Sequence, residues 1–320
     1  MSAEGPTGAD GQAGADAAMS ADVAADAHLP VTDAHLHLWD LGASPYAWLA
    51  GAPAPLRRTV SIEDVRDELR GLGVTRVILV QADDTTQDTA HLQATARAIE
   101  AHAAETGAGI ARADVVGWLP LMDTGAVRAA LADPARTAHL VGVRHLVHDD
   151  PDPGFLDRPD VARSLDLLAG AGLPLDVPDA FERHMAQVVR VAQRHPGLTV
   201  VLDHLGKPPL GDASAMVRWR EQIEAIAACP NVVAKVSGLA TSGNGDFTEA
   251  VEVAMELFGP RRLMVGSDWP IAPTPLDLGS GFAPLLTQVR MRDDVSVRAM
   301  LHGTAARVYR RLGEQSPSAA

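Results

Sequence analysis

The sequence predicts a (β/α)8 barrel, an α/β fold of the TIM-barrel kind built as a single domain. Three features point there. Eight short, β-branched-rich apolar runs recur between residues 31 and 268. Helix-like stretches rich in Ala, Arg and Glu separate them. The repeat of roughly 30 residues is that of parallel strands joined by helical crossovers.

The runs begin at Val31 ("VTDAHLH"), Val74 ("VTRVILVQA"), Asp114 ("DVVGWLPL"), Leu140 ("LVGVRHLVH"), Leu173 ("LPLDV"), Leu198 ("LTVVLDH"), Asn231 ("NVVAKVSG") and Arg262 ("RLMVGSD"). Helices are expected over 61–71, 87–105, 124–133, 159–170, 181–195, 213–228 and 246–258. Most stop at Gly or Pro just before the next run, as in "GLG" (71–73), "AGLP" (171–174) and "GP" (259–260). Gly takes the left-handed cap and Pro cannot continue a helix. An open doubly wound sheet is the rival. It usually carries G-x-G-x-x-G after its first strand, and "HLHLWDLGAS" lacks it. Eight strand–helix units favour the barrel, expected over 29–314. Residues 1–28 are Ala, Gly, Asp and Ser with five acids and no Lys or Arg, and are expected to be a disordered tail. A short disordered end is expected over 315–320.

The net charge of −14 argues against a nucleic-acid surface or docking on anionic lipid. Cys229 is the only cysteine, which rules out an intrachain disulfide and a Cys-rich zinc site and fits a reducing compartment. No secretory signal and no membrane-length apolar run is visible. The cytoplasm is the expected location; the oligomeric state stays open.

Barrel active sites sit at the C-terminal ends of the strands, and polar residues collect there. "VTDAHLHLWD" puts His35 and His37 two apart, on one face of an extended strand. Gln81 ends the second run and Trp118 lies in the third. Arg144, His145 and His148 lie in the fourth. His204 ends the sixth, with Lys207 beyond, and Lys235 and Ser237 lie in the seventh. Asp268 and Trp269 end the eighth. Two imidazoles and a carboxylate can hold zinc with a position open for water, so His35, His37 and Asp268 are candidate ligands for one ion. Asp268 is the expected general base. In "LDHLGKPPL", His204 shares parity with Val200 and Leu202 and is expected to face inward, which leaves Asp203 to the outer layer. Arg144 suits a carboxylate or a polarised carbonyl and shares parity with His148, while His145 faces away. Gln81, Trp118, His145, His148, Lys207 and Trp269 are candidate pocket residues. His28, His91, His102, His139, His184, His195 and His302 receive no role.

The segments "DAHLHLWD", "GWLPL", "GVRHLVH", "LDHLGKPPL", "NVVAKVSGL" and "LMVGSDWP" occur in an order that resembles the sugar-lactone and pyrone-dicarboxylate lactonase branch of the amidohydrolase superfamily. The fuconolactonase and rhamnonolactonase type is the most similar, over about residues 30–312, and "GTAARVYRRL" looks like its closing helix. The resemblance implies a distorted barrel that hydrolyses a lactone. In it Arg144 and His204 bind and polarise the substrate, Asp268 activates water, and His35 and His37 form the first-strand pair. Strands 4 and 5 offer no bridging Lys, so a two-metal centre is not expected. One divalent ion, zinc first, and metal-independent hydrolysis both remain open. A metal-dependent decarboxylase and a non-catalytic barrel that binds a sugar acid are the competing readings. A small-molecule sugar lactone is preferred to a dicarboxylate. The latter demands several cations, and only Arg144 and Lys207 are clear candidates, with Arg57 and Arg58 more distant.

Overall fold

The structure, a computed structural model, describes residues 29–314. The expected tails at 1–28 and 315–320 lie outside the described residues. Eight parallel strands pair in sequence order: β1 (Val31–Leu36), β2 (Val74–Val80), β3 (Arg112–Gly117), β4 (Leu140–Arg144), β5 (Leu175–Val177), β6 (Val200–Leu202), β7 (Val232–Val236) and β8 (Leu263–Val265). The sheet closes on itself beyond the ends of β8 and β1. Asp268 N donates to His35 O (2.8 Å) and His37 N to Trp269 O (2.8 Å). Asp33 staples the same seam by accepting from Ser267 N (2.8 Å) and His35 N (3.1 Å). Closure therefore draws Asp268 and the two first-strand histidines together through the backbone.

The helices follow from local signals. After β1 comes no full crossover helix but a series of 3-10 turns and the short α1 (Arg66–Gly71). Helix α2 (Thr86–Thr106) is capped by the Thr85 side chain at Asp88 N and stops at Gly107, φ 67°. The expected 124–133 helix splits into α3 (Thr124–Leu131) and α4 (Pro134–Thr137), because Asp133 caps a new helix with Pro at its start. Helix α5 (Pro159–Ala171) ends on left-handed Gly172. Then follow α6 (Met185–Arg194), α7 (Ala213–Ala227), α8 (Thr248–Phe258) and α9 (Leu278–Arg290). No helix was expected at α9, where two glycines and Pro284 obscure the helical pattern. The chain closes with α10 (Asp294–Arg298), a π turn (Ala299–Gly303) and α11 (Thr304–Val308). No described helix is long and apolar enough to cross a membrane.

Two apolar layers result. The larger packs strand faces against helices. The smaller fills the barrel with Ala34, Ile78, Val80, Val116, Val141, Val201, Val233 and Met264, plus Ala305 and Tyr309 from the closing segment. This layer overturns the parity expected for β6. Val201 faces the interior, while Val200 and Leu202 face the helices. Asp203 therefore continues the inward face and is fully buried, not in the outer layer. Above the apolar layer, Lys235 Nζ lies 2.6 Å from Asp176 Oδ2, 3.0 Å from Asp203 Oδ1 and 3.0 Å from His35 Nδ1. Tyr309 Oη donates to Asp176 from below (2.6 Å).

Fully buried Asp114 ties the closing segment to the barrel. It accepts from buried Arg76 (2.6 Å), Arg112 (2.7 Å) and Arg311 (2.6 Å). Burial alone would raise its carboxyl, but the three guanidinium groups outweigh that and hold it below the usual range. Asp114→Ala should cost about 3–5 kcal/mol, because it leaves Arg76 charged, buried and unpaired. A depressed folded-state pKa stabilises above the unfolded value and is lost as pH falls. The penalty, read by calorimetry, should therefore be full at neutral pH and shrink in acid below about pH 4; a penalty that grew in acid would contradict the assignment.

Candidate active site

The C-terminal end of the barrel opens into a cavity of about 240 Å³. That is below the range of drug-sized pockets and suits a small molecule. Its floor includes His37, Arg144, His204, Lys207 and Asp268. One wall comes from the segment after β1. Trp39 and Trp48 meet edge to face (5.3 Å, 84°), and Trp48 Nε1 donates to Ala82 O (2.7 Å) across the mouth. The other walls include Leu146, His148, Asp149, Asp179 and Ile271.

Backbone geometry aims the polar groups. β6 stops at Leu202, and the chain then runs left-handed through His204 (φ 56°), Leu205 (φ 53°), Gly206 (φ 74°) and Lys207 (φ 67°). Each non-Gly residue there costs roughly 1–2 kcal/mol. The turn abolishes strand alternation, so adjacent Asp203 and His204 both reach the centre. His204 faces the site for this reason and not by parity with Leu202. Asp268 is also left-handed, φ 62°. Such strain points to function where the surrounding structure enforces it.

Asp268 Oδ1 stands 3.7 Å from His35 Nε2, 3.6 Å from His37 Nε2 and 3.7 Å from His204 Nε2. Burial opposes its charge. His204, His37, Lys207 and His35 reverse that, and the carboxyl is held far below the ordinary range. Burial lowers both His204 and His35, and Lys235 lowers His35 further. The site thus presents an ionised carboxylate beside neutral imidazoles at neutral pH.

Hydrogen bonds set the tautomer of His37 and allow two for His35. Val80 O can only accept, so His37 Nδ1 donates to it (2.8 Å) and Nε2 keeps its lone pair. Lys235 Nζ donates to His35 Nδ1 (3.0 Å), which leaves His35 Nε2–H to donate to His37 Nε2 (3.0 Å). Asp203 Oδ1, 3.4 Å from His35 Nδ1, supports the opposite tautomer, with the Nε2 lone pair turned toward Asp268. In that state His35, His204 and Asp268 offer ligand atoms within 4.8 Å of one another, all buried. This donor set fits one divalent ion with an open position, and His37 stands next to it. For a second ion the middle strands offer Arg144 and Asp176, and Asp176 is engaged by Lys235 and Tyr309.

Arg144 is buried and oriented by Asp203 Oδ2 (3.1 Å) and Gln81 O (3.2 Å), and its Nη1 lies 3.3 Å from His35 Nε2. Lys207 Nζ donates to Thr241 Oγ1 (3.1 Å). His148 lines the wall, half-buried.

Four expected pocket residues stand behind the wall and not in it. Gln81 is fully buried and donates to Asp84 (3.0 Å) and Arg144 O (3.3 Å). His145 stacks on Phe155 and is clamped by Asp84 and Asp150, facing away from Arg144 as its parity at the strand end requires. Trp118 Nε1 donates to His145 Nδ1 (3.2 Å). Trp269 is buried with Nε1 on Leu276 O (3.0 Å). Arg57 and Arg58 are engaged elsewhere, with Ala52 O and Asp64. Sequence reasoning missed Asp176, Asp203 and Tyr309, and gave Lys235 no role. It also missed Trp39, Trp48, Asp149 and Asp179. Lys235 in "NVVAKVSG" and Asp176 in "LPLDV", each an ionisable residue inside an apolar run, carried a visible signal.

A family model described as amidohydrolase matches residues 32–311. A protein named L-fucono-1,5-lactonase from Burkholderia multivorans is 31% identical over 294 residues, 87% of this chain and 95% of its own. Two crystal structures of an amidohydrolase from Burkholderia multivorans, with bound HEPES and with bound zinc, are each 30% identical. They superpose with TM-scores of 0.76 and 0.75, covering 87% of this chain and 98% of theirs. The chain is a member of the amidohydrolase family.

Proposed function

We propose that the protein is a lactonase that opens the ring of an uncharged sugar-acid lactone, an aldonolactone of the fucono- or rhamnono- kind. The observation that carries this reading is the convergence of ionised Asp268, neutral His204 and tethered Arg144 on one small cavity. The 31% identical fuconolactonase supports the substrate class.

Arg144, held by Asp203 and the Gln81 carbonyl, draws charge from the lactone carbonyl oxygen. Charge stabilisation of this kind is usually the largest catalytic contribution. Asp268 takes a proton from water as its oxygen attacks the carbonyl carbon. When the ring C–O bond breaks, Asp268 returns the proton to the departing ring oxygen. The new carboxylic acid then ionises, so each turnover releases one proton. Without an ion, His204, fixed by Ser237 Oγ at Nδ1 (2.9 Å), positions the carbonyl by donating from Nε2; with one, the same Nε2 would turn its lone pair to the metal instead. Zinc is our first choice of ion for His35, His204 and Asp268; when bound it would act as a Lewis acid. A buried free thiol, Cys229, supports a cytoplasmic setting.

Gly238 sets the closeness of the pair. At φ 58°, a Cβ there would lie 2.6 Å from Asp268 Oδ2 and 2.7 Å from His204 Nδ1. Gly238→Ala should displace both and reduce turnover about 10²-fold, measured by proton release on an aldonolactone panel. Asp268→Asn keeps a residue that tolerates left-handed backbone and should lose about 10²–10⁴ in kcat. Full activity in that variant would sink the assignment. Running the same panel with chelator, then with zinc restored, reads the metal requirement.

Neutral His204 and ionised Asp268 also set the pH profile. A histidine lowered from its ordinary value stays neutral through neutral pH, and a carboxyl lowered from its own stays ionised. kcat/KM, corrected for spontaneous hydrolysis, should be level from about pH 6.5 to about pH 8. A rise through pH 7 that vanished in His204→Asn would contradict the neutral imidazole.

A further inference from the structure

The cavity holds a group that the chemistry above leaves unused. Asp179 follows β5 by two residues and lines the cavity with its backbone at φ 41°. Of the non-Gly left-handed residues, His204, Lys207 and Asp268 line the same cavity. Asp179 therefore joins the set whose backbone is bent to present a side chain to the substrate space. Among the described residues its carboxylate has no hydrogen-bond or ion-pair partner, although its charge is felt by His148 and His204. The cations on the floor are engaged elsewhere, Arg144 by Asp203 and Lys207 by Thr241. Neighbouring Asp149, mostly exposed, lies 3.6 Å from His148 Nε2.

A carboxylate can only accept hydrogen bonds. An unpartnered one in a ligand cavity fits a ligand that donates, which means hydroxyl groups. It also disfavours a ligand that carries its own carboxylate. Three acids, Asp149, Asp179 and Asp268, face two fixed cations in this space.

We propose that Asp179, assisted by Asp149, is the specificity-determining residue of the cavity: it binds ring or side-chain hydroxyls of the substrate and excludes lactones bearing a second carboxylate. This rests on the lactonase reading for the reaction, though not for the binding. Trp39 and Trp48 supply the apolar wall against which a sugar ring face can pack.

The test uses the full-length protein, Asp179→Gly and Asp179→Asn. Both substitutes tolerate a left-handed backbone, so the thermal midpoint should not fall. Substrates are a neutral six-carbon aldonolactone and glucaro-1,4-lactone, which carries a carboxylate. A non-hydrolysable aldonolactam serves as binding probe by calorimetry. Loss of a hydrogen bond to a charged acceptor should raise KM for the neutral lactone roughly ten- to a hundredfold in Asp179→Gly. Its kcat should move far less. Preference for neutral over carboxylated lactone should fall in both variants, and lactam affinity should fall with KM. Asp179→Asn should recover part of the hydroxyl binding while the charge discrimination stays lost. Unchanged KM, preference and lactam affinity in Asp179→Gly would overturn the proposal and leave the lactonase reading intact. No lactone turnover in the parent, with lactam affinity still lost in Asp179→Gly, would overturn the lactonase reading and uphold Asp179 as the hydroxyl ligand.

Discussion

A lysine with no exposed surface sits at the centre of this barrel, and the site is arranged around it. Lys235 places its charge where water cannot reach, so its neighbours must supply the compensation. Asp176 and Asp203 do so from β5 and the end of β6, and His35 Nδ1 stands 3.0 Å away on β1. Burial pushes Asp176 up to about 6, against the pull of Lys235. Burial would raise Asp203 too, but Lys235, His35 and Arg144 hold it well below the ordinary range. Asp203 is thus the more firmly ionised of the two, and its second oxygen is free to orient Arg144. One buried charge thereby fixes the orientation of both Arg144 and His35. Removing either acid would leave an uncompensated cation in a low-dielectric interior, a change that is strongly destabilising.

The closing segment completes this arrangement from the opposite end of the barrel. Tyr309 fills the interior with its ring, passes beneath Lys235 (5.2 Å to the centroid) and donates to Asp176. Arg311 then ties the segment to Asp114 at the barrel's outer edge. The closing segment is therefore coupled to the buried charges through two contacts of Tyr309 and anchored by Arg311 on Asp114. Packing, hydrogen bonding and electrostatics there serve one purpose, to hold a polar centre inside an apolar barrel.

Strain is concentrated where the cavity is. The left-handed run after β6 and the single left-handed residues Asp179 and Asp268 each hold a side chain that ordinary strand geometry would direct elsewhere. Closure of β8 onto β1 enforces one of these, since Asp268 N is held by His35 O. Gly238 leaves the room that the Asp268–His204 approach needs. Stability elsewhere in the barrel, from two continuous apolar layers and many capped helices, offsets these local costs.

The barrel was legible before any coordinates. Eight β-branched runs at a regular repeat, with Gly and Pro stops, admit little else, and strand order and parallel pairing follow. The sequence also located His35, His37, Arg144, His204, Lys207 and Asp268 at strand ends, because ionisable residues closing apolar runs stand out against their surroundings. What lay beyond it was direction. Strand alternation assigned Asp203 outward and gave His204 its place for the wrong reason, since one left-handed turn cancels the two-residue period. His145, Gln81, Trp118 and Trp269 share the right strand ends yet bond to protein and not to the cavity. Only the tertiary structure decided those matters, because side-chain direction past a strand end depends on backbone angles that closure of the ring imposes. It also decided that Asp176 and Asp203 meet Lys235, since residues 59 and 32 positions apart along the chain become neighbours only when the sheet curls into a barrel.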